Sequence, residues 1–157
     1  MIAKIITYFP IAPEIAIEKV QLVKLMQFVS LPIIKFIPQG GDKFPERWNL
    51  GRQSVSLFAF GFIPLGHQHI DIDIEVESIS PSQFKARDNG SGFIAKVWDH
   101  QVLISPMKQG SLYQDIVRVE AGTLTIFVWI FAHIFYRWRQ YRWRKLIKGN
   151  FSGLQEV

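Results

Sequence analysis

The chain of 157 residues contains no cysteine, which excludes disulfides, thiolate metal sites and a cysteine nucleophile. It also lacks a glycine-rich phosphate loop, a nucleophile elbow and a zinc-protease motif, so no cofactor is indicated. The first residues hold no apolar run followed by a small-residue cleavage site. We therefore predict no signal peptide and a cytoplasmic location.

Long hydrophobic runs are also missing. The longest candidate, Leu124 to Tyr136, has thirteen residues and includes His133. A membrane-spanning helix needs about 20 consecutive apolar residues. The run is therefore interpreted as a buried core helix.

Aromatic and aliphatic residues are abundant. Hydrophobic residues make up 48% of the chain, with thirteen Phe, five Trp and four Tyr. This length and composition predict a single domain over residues 1–157 that is large enough to bury a core. The aromatic side chains either fill that core or line a wide interior.

A long helix is predicted at the C-terminal end, between Gly122 and Gly149. Its first half is apolar on nearly every side, so other parts of the chain must cover it. The strand-rich middle of the chain is the only material available. We therefore predict a β-sheet that grips this helix, with a possible ligand cavity between the two.

The second half of the predicted helix is basic. The net charge is +5, and six of the eighteen Lys and Arg residues lie between positions 137 and 148. Cations near a helix C-terminus are favoured by the helix dipole. Contact with an anionic membrane surface is the functional alternative. No nucleic-acid partner is predicted, because a basic cluster alone is weak evidence for one.

The first fifty residues are predicted to contain a strand, an interrupted helix and a loop. Residues 2–9 predict a strand that Pro10 ends. A helix is predicted over residues 15–36, interrupted at residues 30–32 because a proline removes a backbone donor there. Residues 37–51 are rich in Pro, Gly and charge and predict a loop, in which Trp48 either folds back as a plug or lid or packs locally at the surface.

The middle of the chain predicts antiparallel strands. Residues 54–63 form one, residues 64–66 a tight turn, and residues 68–79 a second strand with strict alternation. On this second strand one set of side chains is predicted to face inward: Ile70, Ile72, Ile74 and Val76.

Three more strands are predicted after it, at residues 84–87, 93–107 and 112–120. The Asn-Gly within residues 88–92 indicates a hairpin turn. The order of strand, helix, several strands and long helix indicates an α+β fold rather than repeated βαβ units.

These features resemble the START-like superfamily, also called the SRPBCC or helix-grip fold, which includes polyketide cyclase-like proteins. Five segments carry the resemblance: residues 60–70, 88–92, 97–100, 113–122 and 135–146. The resemblance implies an antiparallel sheet wrapped around the C-terminal helix, with an apolar cavity between them. It implies no particular ligand, because the superfamily includes lipid carriers, hormone receptors, cyclases and co-chaperones.

Strand alternation predicts which side chains reach the cavity. Trp98 and His100 share the inward face of one strand, and Tyr113 and Asp115 share that of the last. His133 lies on the C-terminal helix. The predicted ligand-binding residues are Phe60, Gln68, Trp98, His100, Tyr113, Asp115, Trp129 and His133.

Three functions fit these residues. The first is binding of a small hydrophobic molecule, such as a lipid, polyketide-like or aromatic compound. The second is a cyclase or dehydratase in which His100 and Asp115 act as acid and base. The third is a protein-interaction or peripheral membrane factor that uses the basic helix end. His67 and His69 could ligate a metal, but their strand face is acidic and looks solvated, so no metal is predicted.

Overall fold

The computed structural model describes residues 1–40, 43–73 and 82–155. Its helices and strands follow one another in the order β1 (Ile2–Phe9), α1 (Pro13–Val20), α2 (Val23–Ser30), β2 (Ile34–Pro38), β3 (Gly51–Ala59), β4 (Ile63–Asp73), β5 (Phe84–Gly92), β6 (Val97–Met107), β7 (Gly110–Glu120) and α3 (Thr125–Lys148). Short 3₁₀ turns at Gly122–Leu124 and Ser152–Gln155 flank α3.

The strands form a seven-stranded antiparallel sheet with the order β1-β7-β6-β5-β4-β3-β2. The first strand pairs with the last, and Ile2 lies opposite Arg118. Helix α3 crosses the concave face of this sheet and packs most closely on β1, β7 and α2. The predicted α+β class and the predicted grip of a sheet on a C-terminal helix are confirmed.

The region predicted as one interrupted helix contains two helices and a strand. The break near Pro32 is confirmed, since α2 ends at Ser30. The predicted helix over residues 33–36 is wrong, because Ile34 and Phe36 belong to β2 and pair with β3. Their β-branched and aromatic side chains suit a sheet edge.

The tight turn predicted at residues 64–66 is wrong. The chain turns earlier, at Phe60 and Gly61, which both have positive φ. Pro64 and Gly66 lie inside β4, next to a register shift opposite Leu57 and Phe58. Prolines and glycines within strands concentrate at such irregularities.

The hairpin turn predicted at residues 88–92 is also wrong, since these residues complete β5. The turn to β6 follows at residues 93–96. Gly90 is a site of close backbone approach: an added Cβ would lie 2.9 Å from the carbonyl oxygen of His69. The glycines of this segment therefore serve strand packing rather than a turn.

The helix predicted between the two C-terminal glycines is confirmed as α3. Its first half is not covered on every side as predicted, because a row of side chains one turn apart faces outward. Ile126, Ile130 and Ile134 are 52%, 46% and 59% exposed. The sheet covers only the cavity side and the β1 side of this part of the helix.

The buried side chains form two clusters on either side of the middle of α3. One surrounds Trp143, which stacks on Phe9 at a centroid distance of 5.1 Å. The other surrounds Phe135 and Tyr136. On β4, Ile70 is buried and Ile72 lines the cavity as predicted, whereas the predicted inward positions of Ile74 and Val76 lie outside the described residues.

Candidate functional site

A cavity of about 500 Å³ lies between the concave face of the sheet and α3. Strands β2 to β6 supply one wall and α3 supplies the other, with Trp48 from the β2–β3 connection at one side. Most of the lining side chains are aliphatic or aromatic. The fold therefore leaves an apolar space that its own side chains do not fill.

The cavity opens at the end where α3 begins. Exposed apolar side chains surround this mouth: Phe93 is 88% exposed, Phe60 is 59% exposed and Phe127 is 67% exposed, and all three also line the cavity. They come from the β3–β4 turn, the β5–β6 turn and the first turn of α3. An apolar molecule can thus reach the interior without passing a ring of charged side chains.

A buried polar network lies on the sheet side of the cavity. Asp115, 1% exposed, accepts three hydrogen bonds. His100 Nε2 donates at 2.7 Å, Tyr113 Oη donates at 3.1 Å and Gln140 Nε2 donates at 2.9 Å. The three donors to this buried carboxylate thus come from β6, β7 and α3, so its hydrogen-bonding requirement is met within the fold.

His100 is the member of this network that reaches the cavity. Burial lowers its pKa, and the hydrogen bond to Asp115 opposes this shift without reversing it. Because Nε2 carries the proton donated to Asp115, Nδ1 of the neutral ring is an acceptor. The ring also packs against Tyr136 at 4.6 Å.

Trp98 and Tyr136 form a second polar contact on the cavity wall. The indole Nε1 of Trp98 donates to Tyr136 Oη at 3.2 Å, and the two rings stack at 6.3 Å. Burial raises the pKa of Tyr136 well above its usual value, so the phenol stays protonated.

Three charged side chains line the cavity without having been predicted from the sequence: Arg87, Asp88 and Arg139. Arg87 is paired with Asp99 through two hydrogen bonds of 2.8 and 2.9 Å. Asp88 on β5 accepts a hydrogen bond from the Asp71 backbone N–H at 2.8 Å, and burial raises its pKa to about 7. Arg139 on α3 lines the same cavity. The helical spacing gave a usable signal, since Arg139 lies one turn after Phe135 and two turns after Phe131.

The predicted ligand-binding residues separate into three groups. Phe60, Gln68, Trp98 and His100 line the cavity. Tyr113 and Asp115 face inward but lie behind His100, where they support its ring. They are therefore not placed to touch a ligand directly.

The cavity positions predicted for Trp129 and His133 are wrong. Trp129 Nε1 donates to the Ile2 carbonyl at 2.8 Å, and its ring meets the edge of His133 at 4.4 Å. His133 Nδ1 lies 2.8 Å from Arg137, and burial and this charge lower its pKa. Both lie about 200° around the helix from Phe131, which does face the cavity.

Two arginines at the basic end of α3 make contacts within the fold. Arg142 donates to the Phe28 carbonyl at 3.2 Å, and its guanidinium lies 4.0 Å from the centre of that ring. Arg144 donates to Thr7 Oγ1 at 2.9 Å. These contacts give both cations a structural role, and membrane contact through them stays a prediction.

The histidine pair on β4 contacts serines of β3. His67 Nδ1 lies 3.2 Å from Ser56 Oγ, and His69 Nδ1 lies 3.0 Å from Ser54 Oγ. In the part of the chain that is described, no three His, Cys, Asp or Glu side chains are grouped to bind a metal ion. No described helix is both long and apolar enough to cross a membrane.

No protein-family model and no curated protein sequence matches this chain. Solved structures of similar shape include a START superfamily protein from Mycobacterium smegmatis, at 10% identity and a TM-score of 0.62 over 94% of this chain and 97% of that one. An AHSA1 protein from Silicibacter pomeroyi is similar at 11% identity and a TM-score of 0.62, over 96% and 99% of the two chains. The sheet order, the position of α3 and these similarities show that the chain has the START-like, or SRPBCC, helix-grip fold.

Proposed function

We propose that this protein binds a small hydrophobic molecule, such as a lipid, polyketide-like or aromatic compound, in the cavity between the sheet and α3. The observation that carries the proposal is the unfilled apolar space of about 500 Å³. That volume lies within the usual range of ligand pockets. Aromatic side chains of the sheet and of α3, among them Trp98, Phe131 and Phe135, line this space without filling it.

The lining supports binding and orientation of a ligand. Apolar side chains supply burial, while His100, Gln68 and Tyr136 supply a few polar contacts at fixed positions. Such a combination is typical of pockets that select one molecule by shape and a small number of hydrogen bonds. The exposed apolar mouth gives that molecule a route inward.

Filling the cavity should prevent uptake. Ala59 lines the cavity on β3, so we expect Ala59→Trp to lower the affinity for the neutral fluorescent probe N-phenylnaphthylamine by about tenfold or more, because the indole occupies ligand space. The measurement is a fluorescence titration of folded protein. Phe58→Trp is the matched control, since the next side chain along β3 does not line the cavity.

Equal loss of probe binding in Ala59→Trp and Phe58→Trp would argue against binding in this cavity, and so would unchanged binding in both. Native mass spectrometry of protein purified from cells gives a second test. An extra mass that disappears on denaturation would identify the class of a resident ligand.

A second candidate function is catalysis, and the His100 geometry favours it. The hydrogen bond from His100 Nε2 to Asp115 keeps the ring proton on Nε2. The unprotonated Nδ1 can therefore act as a base, on a ring that lines the cavity. A base oriented by a carboxylate is the arrangement used for proton abstraction by enzymes of the cyclase or dehydratase type.

This candidate predicts that the protein accelerates deuterium uptake from heavy water at the acidic carbon of β-tetralone, a compact aromatic ketone. We expect His100→Ala to remove the acceleration by about 100-fold or more, because the base is lost. His133→Ala is the control, since His133 lies outside the cavity. Mass spectrometry of the ketone measures the exchange; no acceleration by the parent protein would contradict the catalytic role.

A further inference from the structure

Arg139 is a cation in an apolar cavity and has no carboxylate partner among the described residues. It lines the cavity wall formed by α3. None of the described Asp and Glu side chains forms a salt bridge with it. Its Nε atom is buried and makes no hydrogen bond within the described chain. A guanidinium in this position carries unused hydrogen-bonding capacity.

Such an arrangement is costly for a protein that binds nothing. A buried polar group without a partner destabilises the folded state, and a buried charge does so more strongly. Aromatic faces offset part of the cost, since the guanidinium lies 4.9 Å from the Tyr136 ring and 5.7 Å from the Phe135 ring. Ring contacts leave the N–H donors in the plane of the guanidinium, and of these the Nε donor has no partner in the described chain.

The charge persists despite burial. Burial acts to lower the pKa of Arg139, but its interactions with Tyr136, which include a hydrogen bond, and attraction from Asp115 outweigh it, so the pKa is raised overall. Asp115 is not its direct partner: the hydrogen bonds to this carboxylate come from His100, Tyr113 and Gln140, and it forms no salt bridge with Arg139. Within the described part of the chain, the Arg139 charge on the cavity wall is therefore not paired with a carboxylate.

Arg139 lies deep in the cavity relative to the mouth. Fifteen residues separate it from Leu124 at the opening, which corresponds to roughly 20 Å along the helix. Apolar side chains line the wall between the two, among them Val128, Phe131 and Phe135. The cavity thus has a cationic inner part and an apolar path that leads out to solvent.

We propose that the cavity takes an apolar carboxylic acid, whose carboxylate binds the Arg139 guanidinium while its hydrocarbon part extends along Phe135 and Phe131 towards the mouth. A planar guanidinium matches a carboxylate through two parallel hydrogen bonds. Because Arg87, the other arginine of the lining, is paired with Asp99, Arg139 is the cation left for a ligand. One such cation with Asp88 and Asp115 nearby suits a singly charged ligand better than a dianion such as a phosphate monoester. This inference rests on the proposed binding function and names its ligand class.

The test compares decanoate with decanol, which share a hydrocarbon chain and differ in the head group. Each competes with bound N-phenylnaphthylamine in a fluorescence displacement titration. We expect decanoate to bind more tightly than decanol to the parent protein. In Arg139→Met, the ratio of the decanoate to the decanol affinity should fall by about 10- to 100-fold, the effect of losing a hydrogen bond between charged groups.

Arg137→Met is the matched control. Arg137 lies on the same helix but is exposed and contacts His133 rather than the cavity, so the affinity ratio should not change. Arg139→Lys keeps the charge and should retain a preference for decanoate. Circular dichroism establishes that each variant is folded. Where Arg139→Met does not fold, the comparison of the two ligands on the parent protein decides.

Two results would overturn the inference and leave the proposed binding function intact. One is tighter binding of decanol than of decanoate by the parent protein. The other is an unchanged affinity ratio in folded Arg139→Met. If neither the probe nor either ligand binds the parent protein, the binding function fails as well.

Discussion

Replacing Asp115 with alanine is expected to lower the free energy of unfolding by about 3–5 kcal/mol, the usual cost of removing one partner from a buried charged network. The carboxylate is the shared acceptor of His100, Tyr113 and Gln140. Its removal leaves three donors in a region that water does not reach. It also removes a negative charge that stabilises the Arg139 guanidinium.

Urea unfolding, followed by circular dichroism, measures this loss. Asp115→Asn should cost less, because its amide oxygen keeps an acceptor for His100 and Tyr113 while its NH₂ group opposes the Gln140 donor. Glu120→Ala is the control on the same strand: Glu120 is exposed and pairs with Arg118, so its loss should change stability by about 0.5 kcal/mol or less. A cost below about 1 kcal/mol for Asp115→Ala would contradict the network described above.

This prediction affects the choice of variants for testing catalysis. Asp115→Ala removes the orienting group of His100 and destabilises the protein at the same time, so a loss of activity in it would be uninformative. His100→Ala removes the group that faces the cavity and leaves the Asp115 contacts with Tyr113 and Gln140 in place. The histidine variant is therefore the sharper test of a base.

Replacing Asp88 with asparagine is expected to make the protein more stable at alkaline pH. Burial raises the pKa of Asp88 from 3.8 to about 7. Between these values the folded state holds a proton that the unfolded state has released. The free energy of unfolding therefore falls as pH rises across this window, by about 2–4 kcal/mol in total.

Asparagine removes this pH-dependent cost because it does not ionise. Its side-chain oxygen still accepts the hydrogen bond from the Asp71 backbone N–H. Above about pH 7.5, Asp88→Asn should be more stable than the parent protein by about 2 kcal/mol, and the difference should vanish towards about pH 4. Urea unfolding of both proteins across this range measures it.

His100 contributes a pH dependence of the opposite sign to the free energy of unfolding. Its pKa is lowered in the folded state, so the unfolded state binds a proton first and stability falls as pH drops below about 6.5. Both proteins share this contribution, so subtracting one curve from the other isolates Asp88. Glu120→Gln is the control, because that exposed carboxylate pairs with Arg118 on β7 and lies outside the cavity. A difference between Asp88→Asn and the parent that does not change with pH would contradict the assignment.

The sequence was sufficient for the α+β class, for β1 and β7 and for the bounds of α3, because these depend on local periodicity. It failed at residues 64–66 and 88–92. Proline and glycine mark turns, but they also mark bulges and places where neighbouring strands come close. Only the position of the adjacent strand distinguishes these cases, and Gly90 beneath the His69 carbonyl is an example.

At the candidate site, too, the sequence predicted some residues correctly and missed others. Alternation along β6 and β7 correctly gave the inward direction of His100 and Asp115. Arg139 was grouped with the basic residues near the helix end, because arginine is seldom buried. The role of Arg139 depends on its angular position around the axis of α3, which is on the same side as that of Phe131 and Phe135. Comparing angular positions in this way would also have placed Trp129 and His133 away from the cavity.

The order of the chain has a consequence for how the cavity is made during synthesis. Helix α3 follows all seven strands, and the edge strand β1 must wait for β7 before it can pair. A nascent chain therefore exposes the apolar concave face of the sheet until its last helix has emerged from the ribosome. Pairing over such sequence distances is slow, and unfinished sheets of this kind are aggregation-prone. Chaperone protection during translation is thus most valuable just before α3 docks, and no ligand can be enclosed earlier than that.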